Sequence, residues 1–85
     1  MKRLVEDVEN EGLMGLMGQR VTLFGLNYIY TGKLVGVNTD FVKLEDAAIV
    51  YETGELNTRD WKDAQSLPHA VYVMLRTVES FMILK

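Results

Sequence analysis

The segment from Tyr30 to Asp46, Tyr-Thr-Gly-Lys-Leu-Val-Gly-Val-Asn-Thr-Asp-Phe-Val-Lys-Leu-Glu-Asp, leaves this chain few ways to fold. Leu34, Val35 and Val37 precede a short polar interval, and Phe41, Val42 and Leu44 follow it. The pattern predicts two antiparallel strands. Asn38-Thr39-Asp40 is the turn between them, because Asn and Asp tolerate left-handed backbone and bond their own main chain. Gly32 and Gly36 fall on one face of the first strand. Glycine weakens a strand interior, so its presence there marks a bend or a close backbone approach. Two such positions predict a sheet that curls.

The remaining elements follow from periodicity. Lys2 to about Leu16 reads as an amphipathic helix, with Leu4, Val5, Val8 and Leu16 on one face and Glu6, Asp7 and Glu9 largely opposite. Gly12, Gly15 and Gly18 recur every third residue. Without G-x-G spacing after a strand this is no dinucleotide fingerprint. Small residues here let a helix end lie close to a sheet, with Gly18 as its stop. Strands are predicted over Arg20–Leu26, Tyr30–Val37, Phe41–Asp46, Ala70–Leu75 and Val78–Leu84. Ala47–Glu52 extends the third strand or restarts it after a kink. Between Glu52 and Pro68 lies a long polar connection, in which Asp60–Gln65 reads as one helical turn with Asp60 as N-cap. A loop of that length is characteristically functional or disordered, and the lone Trp61 favours order.

Eighty-five residues make one domain, divided into a helix over residues 1–17 and strands over 19–84 with the connection at about 53–68. A chain this short buries only about 60–65% of its unfolded surface, so its core needs support. With no cysteine, neither disulfides nor a zinc–thiolate site can supply it. Assembly remains, and 48% hydrophobic residues in so small a domain favour it. The last two strands are apolar on both faces, which at a sheet edge is an aggregation hazard unless another copy pairs with them. Head-to-tail pairing closes into a ring if the rotation allows. No signal peptide and no apolar run of about 18 residues is present, so the expectation is a soluble, cytoplasmic protein with no membrane contact. A net charge of −3 argues against a generic electrostatic nucleic-acid binder but leaves room for a local basic site.

Taken together, the pattern resembles the Sm/LSm family of RNA-binding ring proteins. Tyr30-Thr31-Gly32-Lys33-Leu34 matches the opening of the family's first motif. Asn38 stands where the family has Asp, Phe41 where it has a base-stacking residue, and Val42 where it has Asn. In the second motif Val71–Leu75 and Arg76 match, and Thr77 replaces glycine. The resemblance implies an N-terminal helix followed by a strongly bent five-stranded antiparallel small β-barrel. It also implies a homo-oligomeric ring joined through the fourth and fifth strands, of roughly five to eight subunits by analogy.

The resemblance implies that the ring binds single-stranded RNA or DNA, with Phe41 stacking on a base and Arg76 contacting phosphate or base. Asn38, Thr39, Asp40 and Thr77 would stand at the same end. Each has a plainer explanation as well. Phe41 fits a core position, Arg76 an ion pair with Asp40 or Glu79 of a neighbouring subunit, and residues 38–40 fit turn chemistry. Asp40 would repel phosphate; Lys33 or Lys43 would offset it or simply be solvated. Trp61 could stack a base or grip a partner, but a lone loop Trp more often anchors its loop on the barrel or on the adjacent subunit. The tyrosines are strand residues first, with Tyr28, near a turn, the one expected to be exposed, and the methionines fill core or interface.

Nothing points to catalysis, a metal or a cofactor. His69 has no ligand cluster, and Glu45 and Asp46, adjacent on a strand, would point to opposite faces. Two functions follow: a non-catalytic ring that binds nucleic acid in RNA or DNA processing or chaperoning, or a structural or protein-interaction ring without specific RNA binding.

Overall fold

In the computed structural model, residues 11–85 are described; they form six antiparallel strands and one short helical turn. The strands are β1 (Arg20–Gly25), β2 (Ile29–Val37), β3 (Phe41–Glu52), β4 (Asp63–Ser66), β5 (Val71–Met74) and β6 (Val78–Met82). The sheet runs β4-β3-β2-β1-β6, with β5 also on β3. Five strands and a closed barrel were expected. The sheet instead has six strands and is open: among the described residues no ladder joins β5 to β6.

The long β2–β3 pair is the centre of the sheet, and it contains two irregularities. Register shifts between Thr31 and Lys33, where three steps of β3 oppose two of β2, so an extra residue sits near Asp46. A second shift falls between Leu34 and Gly36, with the extra residue on β2. Both irregularities lie at the glycines that predicted a bend. Each extra residue flips the side-chain alternation. Leu44 and Ala47 therefore both point inward although three apart, and so do Leu34 and Val37.

At the first bulge Asp46 adopts φ 49°, the left-handed region that Asp tolerates better than most residues. The Arg20 guanidinium donates to Asp46 Oδ2 at 3.0 Å and to its backbone oxygen at 3.2 Å. Both side chains are largely solvated, so this pair adds at most about 1 kcal/mol. The stronger constraint is steric. A Cβ on Gly32 would stand 3.0 Å from Ala47 Cβ, 3.1 Å from Ala47 Cα and 3.1 Å from the Glu45 carbonyl oxygen.

Val21, Leu23, Leu34, Val42, Leu44, Ala47 and Val73 make the core. Thr31 is buried beside it and its hydroxyl donates to the Val21 carbonyl at 3.1 Å. Leu13 and Leu16 pack against this core from the turn Gly12–Gly15. That turn is all of the expected Lys2–Leu16 helix that falls on described residues; residues 1–10 lie outside them. Within the described residues the expected helix is not continuous, because Glu11 is extended and Gly12 has φ 66°. Gly18, at φ 87°, turns the chain into β1, and its N–H donates to the Leu34 oxygen at 2.7 Å.

The expected helical turn over Asp60–Gln65 is absent; Asp63–Ser66 is a strand. Four polar or small residues carry no strand pattern of their own. They pair because the last half of β3, Ala48–Glu52, presents a vacant edge. β4 and β5 share that edge in nearly one register, with three residues of β3 facing four between them. They are two halves of one bent strand, interrupted around Pro68, which has no N–H to donate. The Leu67 N–H still reaches the Ala47 oxygen at 2.8 Å. The expected fourth and fifth strands are thus β5 and β6, each shorter than expected, and the Glu52–Pro68 connection contracts to residues 53–62.

The two glycines allow a direct comparison. Gly32→Ala should lower stability by about 1–3 kcal/mol, since backbone atoms must move. At Gly36 a Cβ would meet only Lys43 Cβ, at 3.5 Å. Gly36→Ala should change stability by less than about 0.5 kcal/mol in either direction. Urea unfolding of the two variants measures both.

Candidate nucleic-acid interface

The turn between β2 and β3 is closed by its own first residue. Asn38 N–H donates to the Phe41 oxygen at 3.0 Å, and Asn38 Oδ1 accepts from the N–H groups of Asp40 and Phe41, each at 2.8 Å. One side-chain oxygen thus holds two main-chain donors and sets the direction in which Phe41 leaves the turn. Turn chemistry accounts for that atom of Asn38. Thr39 and Asp40 are exposed at the tip.

A second turn meets this one. Leu75–Thr77 is a single 3-10 turn between β5 and β6, and the Leu75 N–H donates to the Asp40 oxygen at 2.9 Å. Phe41 is opposite Met74 in the ladder, Val42 opposite Val73, and Lys43 opposite Tyr72. The Asn38–Phe41 turn and the Arg76 turn therefore share one end of the sheet. Arg76 is exposed, and among the described residues it makes no ion pair with Asp40, Glu79 or any other carboxylate. Thr77 is engaged elsewhere: its hydroxyl donates to the Met74 oxygen at 2.8 Å and its carbonyl accepts from Leu26 N–H at 2.9 Å.

Phe41 is half-buried, and its ring meets Tyr72 edge-on, with centroids 5.3 Å apart and planes at 88°. Lys43 Nζ lies 5.6 Å from the Tyr72 centroid. These residues border a shallow recess of about 240 Å³ together with Val37 and Asn38. Tyr72 is the member that residue-by-residue reading missed; Lys43 was named there only as a cation that offsets Asp40 or is simply solvated. The available signal was phase: Val42 and Leu44 point inward, so Phe41 and Lys43 share the outer face, where antiparallel pairing brings Tyr72. Tyr28 is exposed, as expected, and so are Tyr51 and Tyr72.

Val42, at the position where the resembled family reads a base edge, is fully buried. It belongs to the core and is closed to any ligand. A second recess, of about 210 Å³, opens where β5 faces the β1–β2 turn, with Leu26, Tyr28, Tyr30, Tyr72 and Thr77 around it. The Tyr28 and Tyr30 rings pack at 61° with centroids 6.3 Å apart.

Among the described residues no three His, Cys, Asp or Glu side chains converge as a metal site would require. None of their helices is long and apolar enough to cross a membrane. No family model, no curated protein and no solved structure matches the chain.

Asn38→Ala should cost about 0.5–1.5 kcal/mol, the net worth of a typical lost hydrogen bond. Asn38→Asp keeps an acceptor at the same place and should cost less than half as much. Thermal unfolding of both variants tests whether Oδ1 holds this turn.

Proposed function

We propose that this chain is an Sm-like small-barrel subunit of a homo-oligomeric ring, and that the ring binds single-stranded RNA or DNA without catalysis. Phe41 stacks a base, and Arg76 contacts the phosphate backbone. The observation that carries this reading is the Leu75 N–H to Asp40 carbonyl bond. It brings the turn that carries Arg76, which makes no ion pair among the described residues, to the end of the sheet where the half-buried Phe41 ring lies, and single-strand binding uses such a ring and cation together. Tyr72 adds a second aromatic surface and Lys43 a second cation. Repeated around a ring, these cations would create a local positive field despite the acidic total.

The edges support assembly. Among the described residues β5 and β6 each lack a partner on one side, and they expose Tyr72, Met74, Phe81 and Met82. Unpaired apolar edges of this kind are unfavourable in a lone subunit. Pairing β5 of one copy with β6 of the next covers them and completes the curl that the two bulges begin.

A structural or protein-interaction ring is the second reading, and a particular observation favours it. The Val42 side chain is sealed in the core, while Asn38 Oδ1 and the Thr77 hydroxyl are already bonded within the chain. Little is left to read a base edge, whereas the tyrosine-bordered recess beside β5 suits apolar side chains of a partner.

Native mass spectrometry should find a closed oligomer of roughly five to eight copies; a monomer at micromolar concentration would overturn the ring. Fluorescence anisotropy with oligo-U, oligo-A and single-stranded DNA should give binding that weakens with salt. Phe41→Ala should reduce affinity at least about fivefold, the lower end for one stacked base. Arg76→Ala should also weaken binding and flatten the salt dependence. A closed oligomer that binds no oligonucleotide at about 10 µM in low salt selects the structural ring, since non-specific binding already reaches that range.

A further inference from the structure

The connection between β3 and β4 holds a site that the reading above does not use. Lys85 Nζ donates to three backbone carbonyl oxygens, those of Thr53 at 2.9 Å, Glu55 at 2.9 Å and Asp60 at 3.0 Å. Thr58 Oγ1 is a fourth contact at 3.3 Å. The ammonium also stands 4.5 Å from the centre of the Trp61 ring. Three donors meet three converging acceptors, and an indole face covers the remaining side.

The loop is shaped by its own bonds as well as by the lysine. Thr58 donates to the Glu55 oxygen twice, from its N–H at 3.2 Å and from its hydroxyl at 2.7 Å. Gly54, at φ 67°, turns the chain so that the Thr53 and Glu55 carbonyls face the same point. A Cβ at Gly54 would lie 3.3 Å from Lys62 Cβ, at the far end of the loop. The chemistry is selective. A tetrahedral ammonium aims its donors at three separate oxygens, whereas a guanidinium presents a flat fork. A neutral alcohol of the same length offers one donor and no charge for the indole.

We propose that residues 53–61 form a recognition site for a primary alkylammonium group, filled in this structure by Lys85. Filling it fastens the chain just beyond β6 to the loop that joins β3 and β4. Trp61 is the only tryptophan, so it reports occupancy directly. The sequence suggests that Trp61 lies on the sheet or on an adjacent subunit; the contact seen for its ring is the Lys85 ammonium of its own chain.

The test uses the full chain carrying Lys85→Ala, with n-propylammonium as the probe because it replaces the atoms removed. Lys85→Ala should shift Trp61 emission to longer wavelength and raise amide exchange in residues 54–60 at least about tenfold, as expected for a loop released to local opening. Propylammonium should reverse both saturably, with a midpoint below about 100 mM, weak binding for one small cation. Propanol should not, and guanidinium should do so less well. In a second variant, Lys85→Met, which keeps an aliphatic stem without the charge, the same shift should appear; Lys85→Arg should recover less than half of it. Three results would each overturn the site: an unchanged Trp61 spectrum in Lys85→Ala and Lys85→Met, equal restoration by propanol, or no saturation by propylammonium.

Discussion

The sheet depends on one close approach, that of Gly32 to the backbone of Ala47 across the β2–β3 ladder. With both strands carrying a Cβ there, neither could come so near, and the extra residue at Asp46 would have no space to fold under. The solvated Arg20–Asp46 pair is too weak to impose this geometry by itself. It chooses among backbone shapes that the missing Cβ has already allowed. Ala47 matters for the same reason as Gly32, since a larger side chain at that point would press on the facing strand.

From this contact the rest of the packing follows. A strand without bulges buries every second residue, and β3 would then turn Asp46 inward after Leu44. The bulge moves the inward position to Ala47, so a charged residue stays in water and a small apolar one enters the core. The second bulge does the same for Leu34 and Val37. It also bends the pair, which leaves the outer edge of β3 too curved for one straight partner. Two short strands cover it instead, with Pro68 in the gap where a ladder donor would be missing.

Much of this was legible in the sequence. The glycines announced the bends, the Asn38 turn announced itself through its chemistry, and the strand runs were found within a few residues of their ends. What escaped had no local signal. Asp63–Ser66 is polar and short, and only the vacant edge of β3 makes it a strand. The positive φ of Gly12 cuts a pattern that reads as unbroken helix, because periodicity measures side chains and not backbone angles. At the candidate interface Phe41, Asn38 and Arg76 could be named singly. Tyr72 could not be joined to Phe41 and Lys43 until register was known, since it lies about thirty residues further along the sequence.

The buried state of Val42 limits what any ligand at this end of the sheet can be. Reading a base requires a donor or acceptor aimed at its edge, and the inward phase of β3 turns position 42 away from solvent. Placing an Asn there would bury an amide in the core cluster of Val21, Leu23 and Leu34, which costs stability unless it finds partners. The groups that remain outside are rings and cations. Rings stack on any base and cations meet any phosphate, so the proposed interface of Phe41, Tyr72, Lys43 and Arg76 would favour single strands as a class over one sequence. The same phase that gives this small sheet its core thus keeps the side chain at position 42 away from any ligand at its surface.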